Sequence, residues 1–190
     1  MTLNVSQPAI AQLQPALSAI AQPPSSHSKG TILLVEDDDA LRGLLRYFLR
    51  KQGYTVLDAP FNSTALLMGG RYTGRIHLLV ADMMMPGTTG HELAQRLRKR
   101  RPDMNVLYIS GQSREFIDRK KLLEPGAAFL QKPFEPPALL EKVDELVGAQ
   151  QRPVSRSRAL PQEETSSAAV TLEGPFASIK RLFQFLMKLS

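Results

Sequence analysis

The chain has 190 residues, no Cys, 24 Lys plus Arg against 18 Asp plus Glu, and 43% hydrophobic residues, enough for one ordinary domain with tails. Zero Cys excludes a disulfide scaffold, a cysteine zinc site and a thiol nucleophile, and no apolar run reaches the roughly 18 residues that would span a bilayer. The net charge of +6 is spread unevenly: residues 30–149 hold 17 basic and 15 acidic groups, and residues 150–190 hold 6 and 3. A centre so close to neutral offers little footprint for phosphate backbones, and no nucleic-acid partner is expected.

Residues 1–29 carry no charge before Lys29 and are rich in Gln, Pro, Ala and Ser, so they are expected to form a disordered N-terminal extension. Ala19-Ile20-Ala21 resembles a signal-peptidase site, but there is no basic n-region, and Gln12, Gln14 and Pro15 interrupt any apolar h-region. A cytoplasmic protein is expected. From Thr31 short apolar runs alternate with segments of helical period, the signature of βαβ units and a parallel sheet. Strands are predicted at Thr31 to Val35, Tyr54 to Leu57, Ile76 to Ala81, Asn105 to Ile109 and Ala128 to Gln131. The first helix places Leu41, Leu44, Leu45, Phe48 and Leu49 at helical spacing behind Asp38 and Asp39, either of which suits an N-cap. Further helices are predicted at about Ser63 to Gly69, Thr89 to Arg100, Arg114 to Leu123 and Pro137 to Val147; Gly69-Gly70 makes the second the weakest. Five strands alternating with five helices imply an α/β fold, a doubly wound five-stranded parallel sheet with helices on both faces.

In such a fold chemistry gathers at the carboxyl ends of the strands. There the sequence has Glu36-Asp37-Asp38-Asp39, Asp82, Ser110 and Lys132-Pro133. Two carboxylates about 4 Å apart repel by about 4 kcal/mol at an effective dielectric near 20, so Glu36, Asp37 and Asp82 need a positive partner. Carboxylate oxygens with open positions suit Mg²⁺, Lys132 adds a cation, and Ser110 adds a hydroxyl. These parts describe a site for a phosphoryl group on a carboxylate, with Asp82 the best nucleophile because it ends the longest apolar strand. Taken singly, Asp37 and Asp82 could merely cap helices and Lys132 merely form an ion pair; the joint arrangement favours the site.

Residues 30–148 resemble the receiver domain of two-component response regulators, the CheY-like family. The stretches that carry the likeness are Ile32-Leu33-Leu34-Val35-Glu36-Asp37-Asp38, Asp82-Met83-Met84-Met85-Pro86-Gly87, Tyr108-Ile109-Ser110-Gly111 and Gly126-Ala127-Ala128-Phe129-Leu130-Gln131-Lys132-Pro133-Phe134. A slighter likeness is to receivers of hybrid sensor histidine kinases. The resemblance implies a flavodoxin-like sheet of order 2-1-3-4-5 and a phosphoryl group received on Asp82 from a histidine kinase or histidine phosphotransfer protein. It implies Mg²⁺ held by Glu36, Asp37, Asp82 and the Met84 backbone carbonyl, with Ser110 and Lys132 contacting phosphoryl oxygens and a cis Lys132–Pro133 bond. Ser110 and Phe129 would be the switch pair, biasing the surface of the fourth helix, fifth strand and fifth helix. The protein would then be a phosphoacceptor with only slow self-dephosphorylation, not a turnover enzyme.

Departures from the family pattern are Glu36 for the commoner Asp, Thr88 where an apolar residue is usual, and Ala59-Pro60-Phe61-Asn62 in place of a glycine-containing turn. None removes a chemical group. Met84, two residues after Asp82, cannot hydrogen-bond an attacking water, so a long-lived aspartyl phosphate is expected.

The basic run Arg96, Arg98, Lys99, Arg100 and Arg101 is read as a solvated helix end, and His77 and His91 are given no role. Residues 149–174 read as a disordered linker. Residues 175–190 read as a basic amphipathic helix, suited through residues 176–189 to protein docking or to an anionic membrane surface. Two other functions would use some of the same parts. An Mg²⁺-dependent phosphohydrolase with an aspartyl nucleophile would need an Asp-x-Asp pattern on the first strand and a cap, and Glu36-Asp37-Asp38 offers neither. A DNA-binding regulator would have to rely on the basic run and tail.

Overall fold

The computed structural model of the chain describes residues 28–85, 89–120 and 122–151. Five strands, β1 (Thr31–Val35), β2 (Thr55–Ala59), β3 (Leu78–Asp82), β4 (Asn105–Ser110) and β5 (Ala127–Gln131), alternate with α1 (Asp39–Lys51), α2 (Asn62–Arg71), α3 (Gly90–Arg98), α4 (Arg114–Arg119) and α5 (Pro136–Gln151). The strands form one sheet in the expected order β2-β1-β3-β4-β5, and every neighbouring pair is parallel. All five carboxyl ends therefore lie along one rim.

The period of two along each strand divides the core between the two faces of the sheet. Leu33, Val35, Leu79, Ala81, Val106 and Tyr108 pack with Met68 of α2, Leu93 and Leu97 of α3, and Ile117 of α4. Ile32, Leu34, Leu78, Val80, Leu107 and Ile109 pack on the other face with Leu41, Leu45 and Leu49 of α1 and Leu139, Val143 and Val147 of α5. Burial on both faces explains why these strands read as unbroken apolar runs. A polar residue closing such a run, as Asp82 does, stands out for the same reason.

Side chains fix where the helices begin. Asp38 Oδ1 accepts from Leu41 N at 2.7 Å and caps α1; Thr89 and Glu92 form a capping box at α3; and Ser113 caps α4. Gly69 does not end α2, which continues to Arg71. A Cβ at Gly69 would overlap the Leu97 side chain, so glycine here lets α2 approach α3 closely. Gly90 plays a similar part at the rim, where a Cβ would overlap the backbone oxygen of Asp82. The first turn of α3 thus sits directly against the end of β3.

Several boundaries differ from expectation. β2 and β3 each begin later and reach further, to Ala59 and Asp82, because pairing of β2 with β1 and of β3 with β4 carries them to the rim. α4 stops at Arg119, four residues short of the expected end. α5 runs to Gln151, past the boundary placed at Gly148, so the first residues assigned to the linker are helical. At the other end Ser28 and Lys29, assigned to the disordered extension, are held in place. Lys29 N donates to Gly53 O at 3.0 Å, Ser28 Oγ accepts from Thr55 N at 3.1 Å, and Lys29 Nζ lies 3.5 Å from Asp144. These partners are 24 or more residues away, beyond the reach of a composition argument. The rest of the N-terminal extension, the remainder of the linker and the amphipathic segment at 175–190 lie outside the described residues. Among the described residues, no helix is long and apolar enough to cross a membrane.

Candidate functional site

The rim brings together residues far apart in sequence. Glu36 follows the last residue of β1, and Asp82 and Ser110 end β3 and β4. Lys132 follows β5 and is anchored to β4 by Lys132 N donating to Ser110 O at 2.7 Å. Lys132 Nζ donates to Asp82 Oδ2 at 2.6 Å and to Glu36 Oε2 at 3.2 Å. Glu36, Asp82, Ser110 and Lys132 are all buried, and Asp37 is exposed. One carboxylate oxygen from each of Glu36, Asp37 and Asp82 lies within 4.8 Å of the other two. The Lys132–Pro133 bond is cis.

Backbone amides complete the surroundings. Met84 N donates to Asp82 Oδ1 at 2.8 Å, so both oxygens of the Asp82 carboxylate are held. Arg42 of α1 donates to Glu36 O at 2.7 Å and fixes the β1–α1 turn. Ser110 Oγ accepts from Gln112 N at 3.1 Å. The structure thus gathers Glu36, Asp37, Asp82 and Lys132, with Ser110 on the strand beside Asp82. Phe129 stands apart, half-buried on β5 beside Tyr108, with the Arg114 guanidinium 6.0 Å from its ring centre.

Two buried acids, Glu36 and Asp82, share one buried lysine, and Glu36 shows the effect of that setting. Burial pushes its carboxyl up to about 7; Lys132 pulls it down, and Asp82 pushes it further up. The fit to a metal rests on this donor set: three oxygen ligands within reach of one another, no nitrogen or sulfur side chain among them, and more negative charge than Lys132 neutralises. Such a set suits a hard divalent cation.

The raised Glu36 pKa carries a pH dependence whose sign is fixed by linkage. The folded chain holds the proton more tightly than the unfolded one, whose Glu36 has the ordinary value of 4.5. Glu36 therefore contributes stability below about 4.5 that is lost as pH rises to about 7. In metal chelator, melting temperature is expected to fall across this window, and Glu36→Gln to flatten the fall. Mg²⁺ titrated at about pH 8 is expected to raise melting temperature more than at about pH 5. A parent and Glu36→Gln variant with parallel pH profiles would refute this.

Sequence reasoning missed Glu124. Its carboxylate accepts from the buried Tyr108 hydroxyl at 2.9 and 3.0 Å, lies 3.0 Å from His91 Nδ1 and accepts from Arg98 Nη1 at 3.3 Å. One loop residue thereby ties α3 to β4, and burial with the nearby carboxylate pushes the Tyr108 phenol up. The expectation that the basic run is a solvated face fails for Arg98 and Arg101. Arg101 donates to the carbonyls of Gly69 and Gly74, each at 2.8 Å, and of Tyr72, closing the loop after α2. Arg96, Lys99 and Arg100 are exposed as expected. His77 also has a structural partner, since its Nδ1 accepts from Thr31 N at 3.0 Å.

A parallel sheet of order 2-1-3-4-5, with an acidic cluster and a lysine where the order reverses between β1 and β3, defines the flavodoxin-like receiver architecture. The chain belongs to the response regulator receiver domain family, whose model matches residues 32–144. It is 36% identical over 121 residues to the sensor kinase CckA of Brucella abortus, a match covering 63% of this chain and 13% of that protein. It is 34% identical over 118 residues to the transcriptional regulatory protein CssR of Bacillus subtilis, covering 62% of this chain and 51% of that protein. Among solved structures, the receiver domain of the hybrid histidine kinase CckA matches with a TM-score of 0.54 at 36% identity, over 62% of this chain and 99% of that one. A CheY-like receiver domain protein from Methanospirillum hungatei matches with a TM-score of 0.56 at 30% identity, over 64% and 96% of the two chains. The chain thus spans 13% and 51% of these two curated relatives, but nearly the whole of the isolated receiver structures.

Proposed function

We propose that this chain is a phosphoacceptor in a two-component relay, with Asp82 taking a phosphoryl group from a phosphohistidine of a histidine kinase or histidine phosphotransfer protein. The observation that carries this reading is the buried Lys132 Nζ, 2.6 Å from Asp82 Oδ2, inside a cluster of three carboxylates. A carboxylate oxygen of Asp82 attacks phosphorus, the P–N bond breaks, and its electron pair returns to the imidazole nitrogen. Lys132 supplies positive charge and hydrogen bonds to the transferring group, and the Ser110 hydroxyl donates a further one. Glu36, Asp37, Asp82 and the Met84 carbonyl would hold Mg²⁺, which neutralises charge on the phosphoryl oxygens when bound.

The product is a modified side chain, which fits a signalling switch rather than a turnover enzyme. Ser110, drawn toward the phosphoryl group, and Phe129, on the next strand, would couple its presence to the surface of α4, β5 and α5. A relay supplied by kinases that draw on ATP would operate in the cytoplasm, and a cytoplasmic location is part of this proposal. Incubation with acetyl phosphate and Mg²⁺, followed by intact-mass measurement, is expected to show one added phosphate, and borohydride reduction with peptide mapping to locate it at Asp82. Uptake at any other residue, or none, would overturn the reading.

A further inference from the structure

We propose that Met84 is a redox-controlled site: oxidation of its side chain to the sulfoxide by a peroxide shortens the lifetime of the phosphoryl group on Asp82. This rests on the phosphoacceptor reading of Asp82. Five methionines fall among the described residues, and four are shielded: Met68 at 0% exposure, Met83 and Met104 at 2%, and Met85 at 8%. Met84 is 58% exposed. An oxidant meeting the folded domain therefore reaches Met84 long before the other four, since susceptibility follows access to sulfur.

The position gives this selectivity a consequence. Met84 N is hydrogen-bonded to Asp82 Oδ1 at 2.8 Å, which fixes the Met84 backbone beside that carboxylate. Glu36, Asp82, Ser110 and Lys132 are all buried, whereas Met84 and Asp37, which adjoin them in the chain, are exposed to water. A thioether is a weak acceptor and does little to orient water there. In the oxidation, a sulfur lone pair attacks one oxygen of hydrogen peroxide and the O–O bond breaks. The sulfur is oxidised by two electrons, and the second oxygen leaves as water. The sulfoxide oxygen is polar and accepts strongly. Placed beside Asp82, it accepts a hydrogen bond from the water that attacks phosphorus, while the bond between phosphorus and the Asp82 oxygen breaks and the carboxylate and inorganic phosphate separate.

The test uses the full chain with hydrogen peroxide as oxidant, acetyl phosphate as phosphodonor, and peptide mapping with intact mass as the readout. Within residues 28–151, Met84 is expected to gain oxygen first. After removal of the donor, the oxidised protein is expected to lose phosphate with a half-life about fivefold shorter, the effect of one ordinary hydrogen bond gained at the transition state. Met84→Leu, which has no oxidisable sulfur there, is expected to show the same half-life before and after peroxide treatment, which removes any effect of other methionines. Met84→Gln, whose amide oxygen stands in for the sulfoxide, is expected to be short-lived without peroxide. Earlier oxidation of Met68, Met83, Met85 or Met104 would overturn the proposal. So would an unchanged or lengthened half-life after oxidation, or an equal response in Met84→Leu. Failure of the untreated parent to take up any phosphate would overturn the phosphoacceptor reading itself, a distinct result.

Discussion

Asp82→Asn is expected to take up no phosphate from acetyl phosphate and to lose most of the stabilisation by Mg²⁺ expected of the parent. The amide preserves the shape of the side chain and still offers one oxygen, but it is not a nucleophile toward phosphorus at neutral pH, and it removes one of three carboxylates around the candidate cation site. Affinity for Mg²⁺ should fall at least about tenfold, corresponding to about 1.4 kcal/mol. A second effect follows inside the site. Asp82 is one of the causes that raise the Glu36 carboxyl, so in the variant Glu36 should titrate closer to the ordinary carboxylate range. Intact mass reads the first effect, melting temperature against Mg²⁺ concentration the second, and NMR titration of the Glu36 side chain the third. Phosphate uptake by Asp82→Asn at the parental level would remove Asp82 from the chemistry.

Lys132→Ala is expected to slow phosphate uptake by about 10²–10³, the usual loss when a charge-stabilising donor is removed from a buried reacting centre. Lys132 Nζ reaches both Asp82 Oδ2 and Glu36 Oε2, so its removal leaves two buried carboxylates facing each other. Their repulsion is relieved when the pair binds a proton, which lets the variant stay folded. Initial rates of uptake, with circular dichroism to verify the fold, would measure this. A rate within about threefold of the parent at every pH would show that Lys132 is only a structural ion pair.

Exposed Met84 and buried Lys132 also differ in what their substitution tests. The role proposed for Lys132 is in formation of the phosphorylated state, whereas that proposed for Met84 concerns how long that state lasts. An assay that separates uptake from decay therefore distinguishes them, even though both residues adjoin the same carboxylate.

Composition, apolar runs and the placement of charged residues were enough to specify a parallel α/β domain and the succession of its elements, although not the ends of β2 and β3. Parallel strands are buried on both faces, so an acid that closes an apolar run, such as Asp82, is conspicuous in one dimension, and Glu36, Asp37, Ser110 and Lys132 were legible for the same reason. Distances were not. Lys132 meets Asp82 across 50 positions and Glu36 across 96, and only the sheet order sets those meetings. Glu124, Arg98 and Arg101 show the limit most clearly: along the chain they look like solvated charges, and folding gives them buried or carbonyl partners on other elements. A charged side chain takes its role from the dielectric and partners that surround it after folding. Local pattern fixes which residues point inward, but tertiary packing alone decides which charges are left to face one another.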